Sequence, residues 1–296
     1  MSAPNTRGPD ARSSARFFGR LLGASGIVVG AWAAYASVEA RWVRIEHTTL
    51  RDSRVPPGLD GIRLLFASDI HAGPAFGTSR MTALVRMINA EEPDIVVLGG
   101  DYVGGRSGGS GSGERIFYPA VAGLEAQLGV FAVLGNHDAW EGRDAAYAGM
   151  AAAGITVLEN ELVRVGHGGK QMVIAGLADE WTGWPDAAPL ASQVAAGEYA
   201  VLVAHNPDSF DTALANRPNP WALALAGHTH GGQVRGAYEL LGHRPTRFGK
   251  RYLSGWAEEH GTPVLVSNGV GAVGLPLRTL APAQMHVITL EHSSGR

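Results

Sequence analysis

A chain of 296 residues, 45% hydrophobic and 17% charged, is long enough to bury a core of its own and is not built like a disordered polymer. Its formal net charge of −3 gives no basic footprint, so no nucleic-acid partner is expected. It has no cysteine, which excludes disulfides, thiolate metal sites and cysteine nucleophiles.

Residues 1–55 read apart from the rest. Arg7, Arg12, Arg16 and Arg20 face a single acid, Asp10, and the uncharged stretch LLGASGIVVGAWAAYASV follows at 21–38. A basic leader before an apolar run is the pattern of a secretory signal or signal anchor. The run just reaches the length needed to span a bilayer, roughly 20 residues. The expectation is an N-terminal hydrophobic helix that anchors the protein in a membrane or leads its export. Trp32, Tyr35 and Trp42 would be its interfacial aromatics. Ala34-Tyr35-Ala36 also fits a cleavage site, and a helix packed on the domain is the plain alternative. Asp52 to Gly61, with Pro56-Pro57-Gly58, reads as a linker into a domain over 56–296.

Within that domain, Ile62–Ala67 is an apolar run that predicts a buried strand. Met81, Leu84, Val85 and Ile88 have helix spacing over 79–91. Further strands are predicted at Asp94–Leu98, Val130–Leu134, Met172–Ala175, Ala200–Ala204, Ala222–Ala226, Pro263–Ser267 and Gln284–Leu290. Helical pieces at 119–127 and 143–153 fall between some of them. Strands alternating with helices make an α/β domain, with helices layered outside buried sheets. Gly104–Gly113 reads as a flexible, low-complexity loop, and no internal repeat is present.

Polar clusters follow the strands directly. Asp69-Ile70-His71 follows the first and Gly99-Gly100-Asp101 the second. Gly135-Asn136-His137-Asp138 follows the third, and His205-Asn206 and Gly227-His228-Thr229-His230 follow later ones. The carboxyl ends of strands are where α/β proteins gather ligands. A lone D-x-H or G-N-H-D is usually a polar turn; the ordered set, each member after a strand, points to a site. Imidazole, carboxylate and amide oxygen without sulfur suit Mn²⁺, Fe²⁺ or Zn²⁺ rather than Mg²⁺ or Ca²⁺. The candidate ligands are too many for one tetrahedral zinc and suit two ions sharing a carboxylate.

This order of motifs resembles the calcineurin-like metallophosphoesterases. ASDIHAG at 67–73, GGDYVGG at 99–105, GLADEWTG at 176–183, AHNPD at 204–208, GHTHGGQ at 227–233 and NGVGAVGLPLR at 268–278 are similar to a bacterial exported or membrane-anchored phosphodiesterase subgroup. The resemblance implies a four-layer αββα sandwich, two mixed β-sheets flanked by helices, and two divalent metal ions. It implies that Asp69, His71 and His230 hold the first ion, and Asn136, His205 and His228 the second, with Asp101 bridging. His137 would be the catalytic acid. Many relatives carry a second aspartate where this chain has Gly104, which leaves Asp138 as a candidate to orient His137. Asn206 and Asp208 could orient His205, with a plain turn as the alternative. Asp179 could bind metal or substrate, with a surface turn as the favoured reading. Arg278 could contact an anionic substrate or make a salt bridge. Trp181, Trp184 and Trp256 could wall an apolar entrance, with core packing as the default.

The function expected is metal-dependent hydrolysis of a phosphodiester or pyrophosphate bond, either on a membrane- or envelope-associated substrate, lipid-linked in one version, or as a general phosphodiesterase with broad substrates. A narrower version is a pyrophosphohydrolase of UDP-diacylglucosamine, as some of the subgroup are. The alternative from another class is a non-catalytic metal-binding or scaffolding protein on the same fold.

Overall fold

The computed structural model describes residues 11–104, 111–235, 242 and 244–294. Arg7, Asp10 and most of the glycine-serine stretch at 104–113 therefore lie outside the described residues.

The centre of the first sheet is β2 (Arg63–Ala67), β3 (Ile95–Leu98) and β4 (Val130–Ala132), all parallel. Strand alternation sends Leu64 and Phe66 to one face and Leu65 and Ala67 to the other, and all four are buried. A strand covered on both faces has to be apolar throughout, which is what made these runs legible. With β1 (Arg44–Asp52), β5 (Thr156–Val157) and β12 (Gln284–His292) the order is β1-β12-β2-β3-β4-β5. β12 is antiparallel to β2 and parallel to β1, so the sheet is mixed.

The second sheet has the order β10-β11-β9-β8-β7-β6. Its strands are β6 (Glu161–His167), β7 (Lys170–Gly176), β8 (Tyr199–Val203), β9 (Trp221–Ala226), β10 (Gly255–Glu259) and β11 (Thr262–Val266). β7, β8, β9 and β11 run parallel, while β6 and β10 close the two edges as antiparallel partners.

The two sheets pack face to face through one core that includes Phe66, Val97, Ile174, Val201, Leu225 and Ile288. Helices α2 (Thr78–Ala90), α3 (Ser112–Val121) and α4 (Asn136–Ala152) cover the outer face of the first sheet. On α2 the predicted stripe of Met81, Leu84, Val85 and Ile88 is the buried face. Short helices α5 (Ala188–Ala191) and α6 (Phe210–Ala213) cover the second sheet, with Leu190 and Phe210 packed beside Trp221 and Tyr252. The result is an α/β sandwich of two mixed sheets with helices outside.

Residues 44–52 belong to the first sheet, where β1 pairs with β12 along its whole length. One expectation is corrected. The N-terminal run does form a helix, α1 (Ala11–Glu39), but among the described residues no helix is long and apolar enough to cross a membrane. Its glycines and alanines add little transfer free energy per residue, and Arg12, Arg16 and Arg20 fill its first turns. The end of α1 is tied to the domain. Ala36 and Ala40 are buried, Arg278 N–H donates to the Ala36 carbonyl at 3.0 Å, and Ala281 N–H donates to Glu39 Oε1 at 3.0 Å. Ile27, Val28 and Val29 further back, and Val38 between the two buried alanines, are exposed.

Candidate metal centre

The loops after β2, β3, β4, β8 and β9 converge at one end of the sandwich. Chains leaving neighbouring strands must turn sharply there to put side chains back over the sheet ends. Asp69, His71, Asp101, His228 and His230 accordingly adopt φ of 52°, 49°, 55°, 68° and 52°. This left-handed conformation costs about 1–2 kcal/mol for a residue with a Cβ, and such strain persists where surrounding bonds over-determine it. Here Asp69 N–H donates to Gly100 O at 2.9 Å, His71 N–H to Asp101 O at 3.0 Å, and Gly271 N–H to Asp69 O at 2.7 Å. The glycines in the motifs leave room for the ligands themselves. A Cβ on Gly135 would lie 2.2 Å from Asp101 Oδ1, and one on Gly227 would lie 2.2 Å from Asp69 Oδ2.

Two groups of donor atoms result. Asp69, His71 and His230 present ligand atoms within 4.8 Å of one another, and so do Asp101, His205 and His228. In the first, His71 Nε2 is 3.1 Å from His230 Nε2, and His230 Nε2 is 3.4 Å from Asp69 Oδ1. In the second, His228 Nδ1 is 3.2 Å from His205 Nε2. Asp101 Oδ2 joins the groups, at 3.3 Å from His205 Nε2 and 3.7 Å from His71 Nε2. Asn136 opens α4 beside Asp101, and its buried Oδ1 receives no hydrogen bond among the described residues. An orphaned buried amide oxygen among imidazoles is what a cation site leaves behind when only the protein is considered.

Charge follows burial. Desolvation lowers the pKa of His71 to about 4 and of His228 to about 3, and drives that of His230 well below the usual value. These imidazoles keep their lone pairs at neutral pH, as metal ligands must. Burial also disfavours charge on His205, but the Asp101 carboxylate beside it holds its pKa well above the usual value. The same pairing holds Asp101 well below the carboxylate range against its own burial. Burial, with Asp101 nearby, pushes Asp69 up to about 6 and Asp138 up to about 7.

The supporting residues differ from those expected. Asp138 does not bond the ring of His137. Its carboxylate accepts from the N–H groups of Asp101, Tyr102 and Gly135 at 2.8, 2.9 and 2.9 Å, tying two ligand loops together. Gly104 cannot readily be replaced in this loop, because a Cβ there would meet the His71 carbonyl oxygen at 2.9 Å. Asn206 makes a turn, its Oδ1 accepting from Asp208 N–H at 3.0 Å, and Asp208 is engaged with Thr246 and Arg247. The ring of His205 is instead paired with a main-chain carbonyl, Gly99 O, at 2.8 Å from Nδ1. Asp179 closes the turn at 179–182 through Trp181 N–H and Thr182, at 3.0 Å each. Arg278 reaches no substrate face, since it is 0% exposed. Its guanidinium donates to Gly271 O at 2.6 Å and Asn268 O at 2.7 Å, and its Nη2 sits 3.1 Å from His230 Nδ1.

His137 is fixed by its N–H on Asp101 Oδ1 at 2.9 Å. Its ring lies 4.9 Å from that of His71 and 5.1 Å from Trp140, and it also falls in a ligand-distance group with His71 and Asp101. Trp140, not singled out in the sequence, and Trp181 form a half-exposed pair with ring centroids 6.2 Å apart. Trp181 packs edge-on against His228 at 4.5 Å. Trp184 projects into solvent at 88% exposure, and Trp256 lies half-exposed on the edge strand β10. A cleft of about 850 Å³ opens at His71, His137 and Gly104 and is walled by Pro74, Trp140 and Val273.

The family profile described as calcineurin-like phosphoesterase matches residues 62–232, a span that holds every candidate ligand. The chain belongs to this family. As a calcineurin-like phosphoesterase it is a metal-dependent hydrolase acting on phosphoester bonds. It is 30% identical over 277 residues to the uncharacterized metallophosphoesterase YkuE of Bacillus subtilis, covering 92% of this chain and 94% of that one. Similarity to the phosphodiesterase YaeI of Escherichia coli is 31% identity over 219 residues, 71% of this chain and 76% of that one. A bovine transmembrane protein with metallophosphoesterase domain is 28% identical over 257 residues, 80% of this chain and 55% of that one.

Proposed function

We propose that this phosphoesterase cleaves phosphodiester or pyrophosphate bonds at a dinuclear centre. Asp69, His71 and His230 would hold one divalent ion, and Asn136, His205 and His228 the other, with Asp101 shared. The observation that carries this reading is the position of Asp101 Oδ2, 3.3 Å from His205 Nε2 and 3.7 Å from His71 Nε2. One oxygen at the junction of two imidazole groups is what a bridging carboxylate requires. The donor set of imidazole, carboxylate and the unpaired Asn136 Oδ1 suits Mn²⁺, Fe²⁺ or Zn²⁺.

When bound, such ions supply Lewis-acid polarisation of the phosphoryl group and water of lowered pKa. The chain supplies the rest. Its left-handed loops fix the ligand side chains before anything binds, so little reorganisation accompanies the reaction. The cleft positions the ester beside His137. As water adds to phosphorus and the P–O bond to the leaving group breaks, the ring of His137 donates its proton to the departing oxygen. Trp140 and Trp181 shield one side of this space from bulk water.

Turnover of bis-p-nitrophenyl phosphate by the Mn²⁺-loaded protein tests the centre. Asp101→Ala is expected to lose about a hundredfold or more, since each ion is worth several kcal/mol of charge stabilisation. Equal rates in the two proteins would sink the dinuclear assignment.

A place at a membrane face, with an envelope or lipid-linked ester as substrate, is supported by the basic leader, the exposed Ile27, Val28, Val29 and Val38 of α1 and the name of the bovine relative. An amphipathic segment lying along an interface needs less apolar length than one that spans it. Co-flotation with anionic vesicles is the expected result; recovery wholly in the bottom fraction would remove this part of the reading.

A further inference from the structure

A smaller cavity lies where α1 hands over to β1. Arg41, Trp42 and Val43 line one side of it, and Arg80, Leu84 and Met87 of α2 line the other. The guanidinium of Arg80 is fixed in place. It lies 4.1 Å over the Phe76 ring, and donates to Ala75 O at 2.9 Å and Ala40 O at 3.1 Å, one bond from each Nη. Its Nε–H and one hydrogen on each Nη keep no partner among the described residues. Arg41 is exposed and donates to Ser37 O at 3.3 Å. Neither arginine pairs with a carboxylate among the described residues, and Glu39, close by in sequence, is turned onto Ala281 N–H. Burial lowers the pKa of Arg80, and the charge of Arg41 lowers it further, so the two cations stand close enough to repel. Two guanidinium groups held together by the fold without a counter-ion favour an anion.

The remaining walls are apolar. A free inorganic anion would satisfy the charge and leave Trp42, 71% exposed, in water beside Val43 and Met87. An amphiphile covers them as well, at a gain that grows with the area covered. A volume of about 290 Å³ is at the small end of ligand pockets, which suits a headgroup whose chains continue outside. Outside is α1, with Trp32, Tyr35 and Val38 exposed within three turns of Arg41. Arginine beside an exposed tryptophan is also what the headgroup level of a bilayer favours.

We propose that this cavity binds the phosphate of an anionic phospholipid between Arg41 and Arg80, with the start of its chains against Trp42, Val43 and Met87. This rests on the membrane-face reading and adds what that face binds: one lipid at a defined site, in place of a diffuse attraction to charge. A choline lipid carries the same phosphate, but its ammonium group meets two guanidinium groups and is disfavoured.

The test is calorimetry on the full chain, with chelator present so that no phosphate is drawn to a metal ion. It compares dihexanoylphosphatidylglycerol, dihexanoylphosphatidylcholine and inorganic phosphate, the lipids below their micellar concentrations. The expected result is one phosphatidylglycerol bound per chain, about tenfold more tightly than the choline lipid or phosphate. Arg41→Gln should weaken that binding roughly tenfold, the worth of a hydrogen bond to a charged group. Arg41 is exposed, so this variant keeps the fold; Arg80→Gln, with its fold checked by circular dichroism, should show the same loss. Equal affinity for the two lipids, phosphate bound as tightly as phosphatidylglycerol, or an Arg41→Gln chain that binds like the parent overturns the inference. Vesicle flotation separates it from the reading it rests on. If parent and Arg41→Gln float equally with anionic vesicles and no one-to-one lipid binding is found, the membrane face stands and the site falls. If the short lipid binds at one site while the chain stays at the bottom of the gradient, the site stands and the membrane face falls.

Discussion

A guanidinium buried against an imidazole edge fixes the ring and opposes its protonation, and Arg278 stands in that relation to His230. Its other donors are spent on the carbonyls of Asn268, Gly271 and Ala281, so the loop behind the ligand and the ligand itself share one brace. Groups that orient a metal ligand typically contribute 10–100-fold to metal affinity. Arg278→Met should therefore weaken the binding of one of the two ions by roughly that factor, measured by competition with a chromophoric chelator, and Arg278→Lys should recover part of it. Two ions bound with wild-type affinity in Arg278→Met would refute the bracing role. His137 is tested differently, because its ring also lies within reach of His71 and Asp101. As a proton donor it should cost about 10²–10⁴ in kcat when changed to asparagine, with metal content by mass spectrometry unchanged. Loss of one ion in that variant would make it a ligand instead. Residue types were the most legible part of the sequence here, since few patterns besides metal chemistry place aspartate and histidine after so many strands. What surrounds each ligand was not legible. The carbonyl of Gly99 that orients His205 has no side chain to announce it, and Trp140 stands in no motif.

At the scale of elements, the strands that could be read were those buried on both faces. The unread ones, β1, β5, β6 and β10, are the edges of the two sheets. An edge strand has one ladder of hydrogen bonds and a solvent side, so it is free to carry charge that blunts unwanted pairing. β1 shows Arg44, Glu46, His47 and Arg51, and β10 ends in Glu258-Glu259. Neither looks like a core strand, although both pair along their full length. Helix α3 was misplaced because Pro119, a plausible first residue, lies inside it near its end. β12 carries a buried titratable group whose Nε2 lies 3.2 Å from Gln284 Nε2: His286 is 4% exposed, and burial lowers its pKa to about 4. Above the unfolded value near 6.5 both states are neutral and the residue is silent. As pH falls from there toward about 4, only the unfolded chain takes up the proton, so stability falls, by about 3 kcal/mol over that window. Urea titrations at pH 7 and pH 4.5 should show a shallower loss in His286→Gln than in the parent chain. Identical slopes would mean that His286 titrates normally in the fold.

The molecule as a whole joins its two sheets twice, once through the shared apolar core and once at the strand ends. β2, β3 and β4 of the first sheet supply Asp69, His71, Asp101 and Asn136, while β8 and β9 of the second supply His205, His228 and His230. Each proposed ion therefore takes ligands from both sheets. Binding that requires both halves in register stabilises only the folded state, by about 2.7 kcal/mol for each site held at a hundred times its Kd. Stripping the metal should lower the melting temperature by on the order of 10 °C, with near-full recovery on adding Mn²⁺; an unchanged transition would mean that the folded chain binds no ion tightly at these residues.

The knot between α1 and the 278–281 turn has a mechanical consequence. Arg278 N–H hangs on the Ala36 carbonyl while the same residue's guanidinium steadies His230, so the leader helix and the metal centre are one amino acid apart. A load applied to the helix, by a surface that grips its exposed side chains or by a cut that removes it, is delivered to a ligand of the site. Helix α1 is thus coupled through Arg278 to the candidate site, and a chain trimmed past Ala40 loses a strut behind His230.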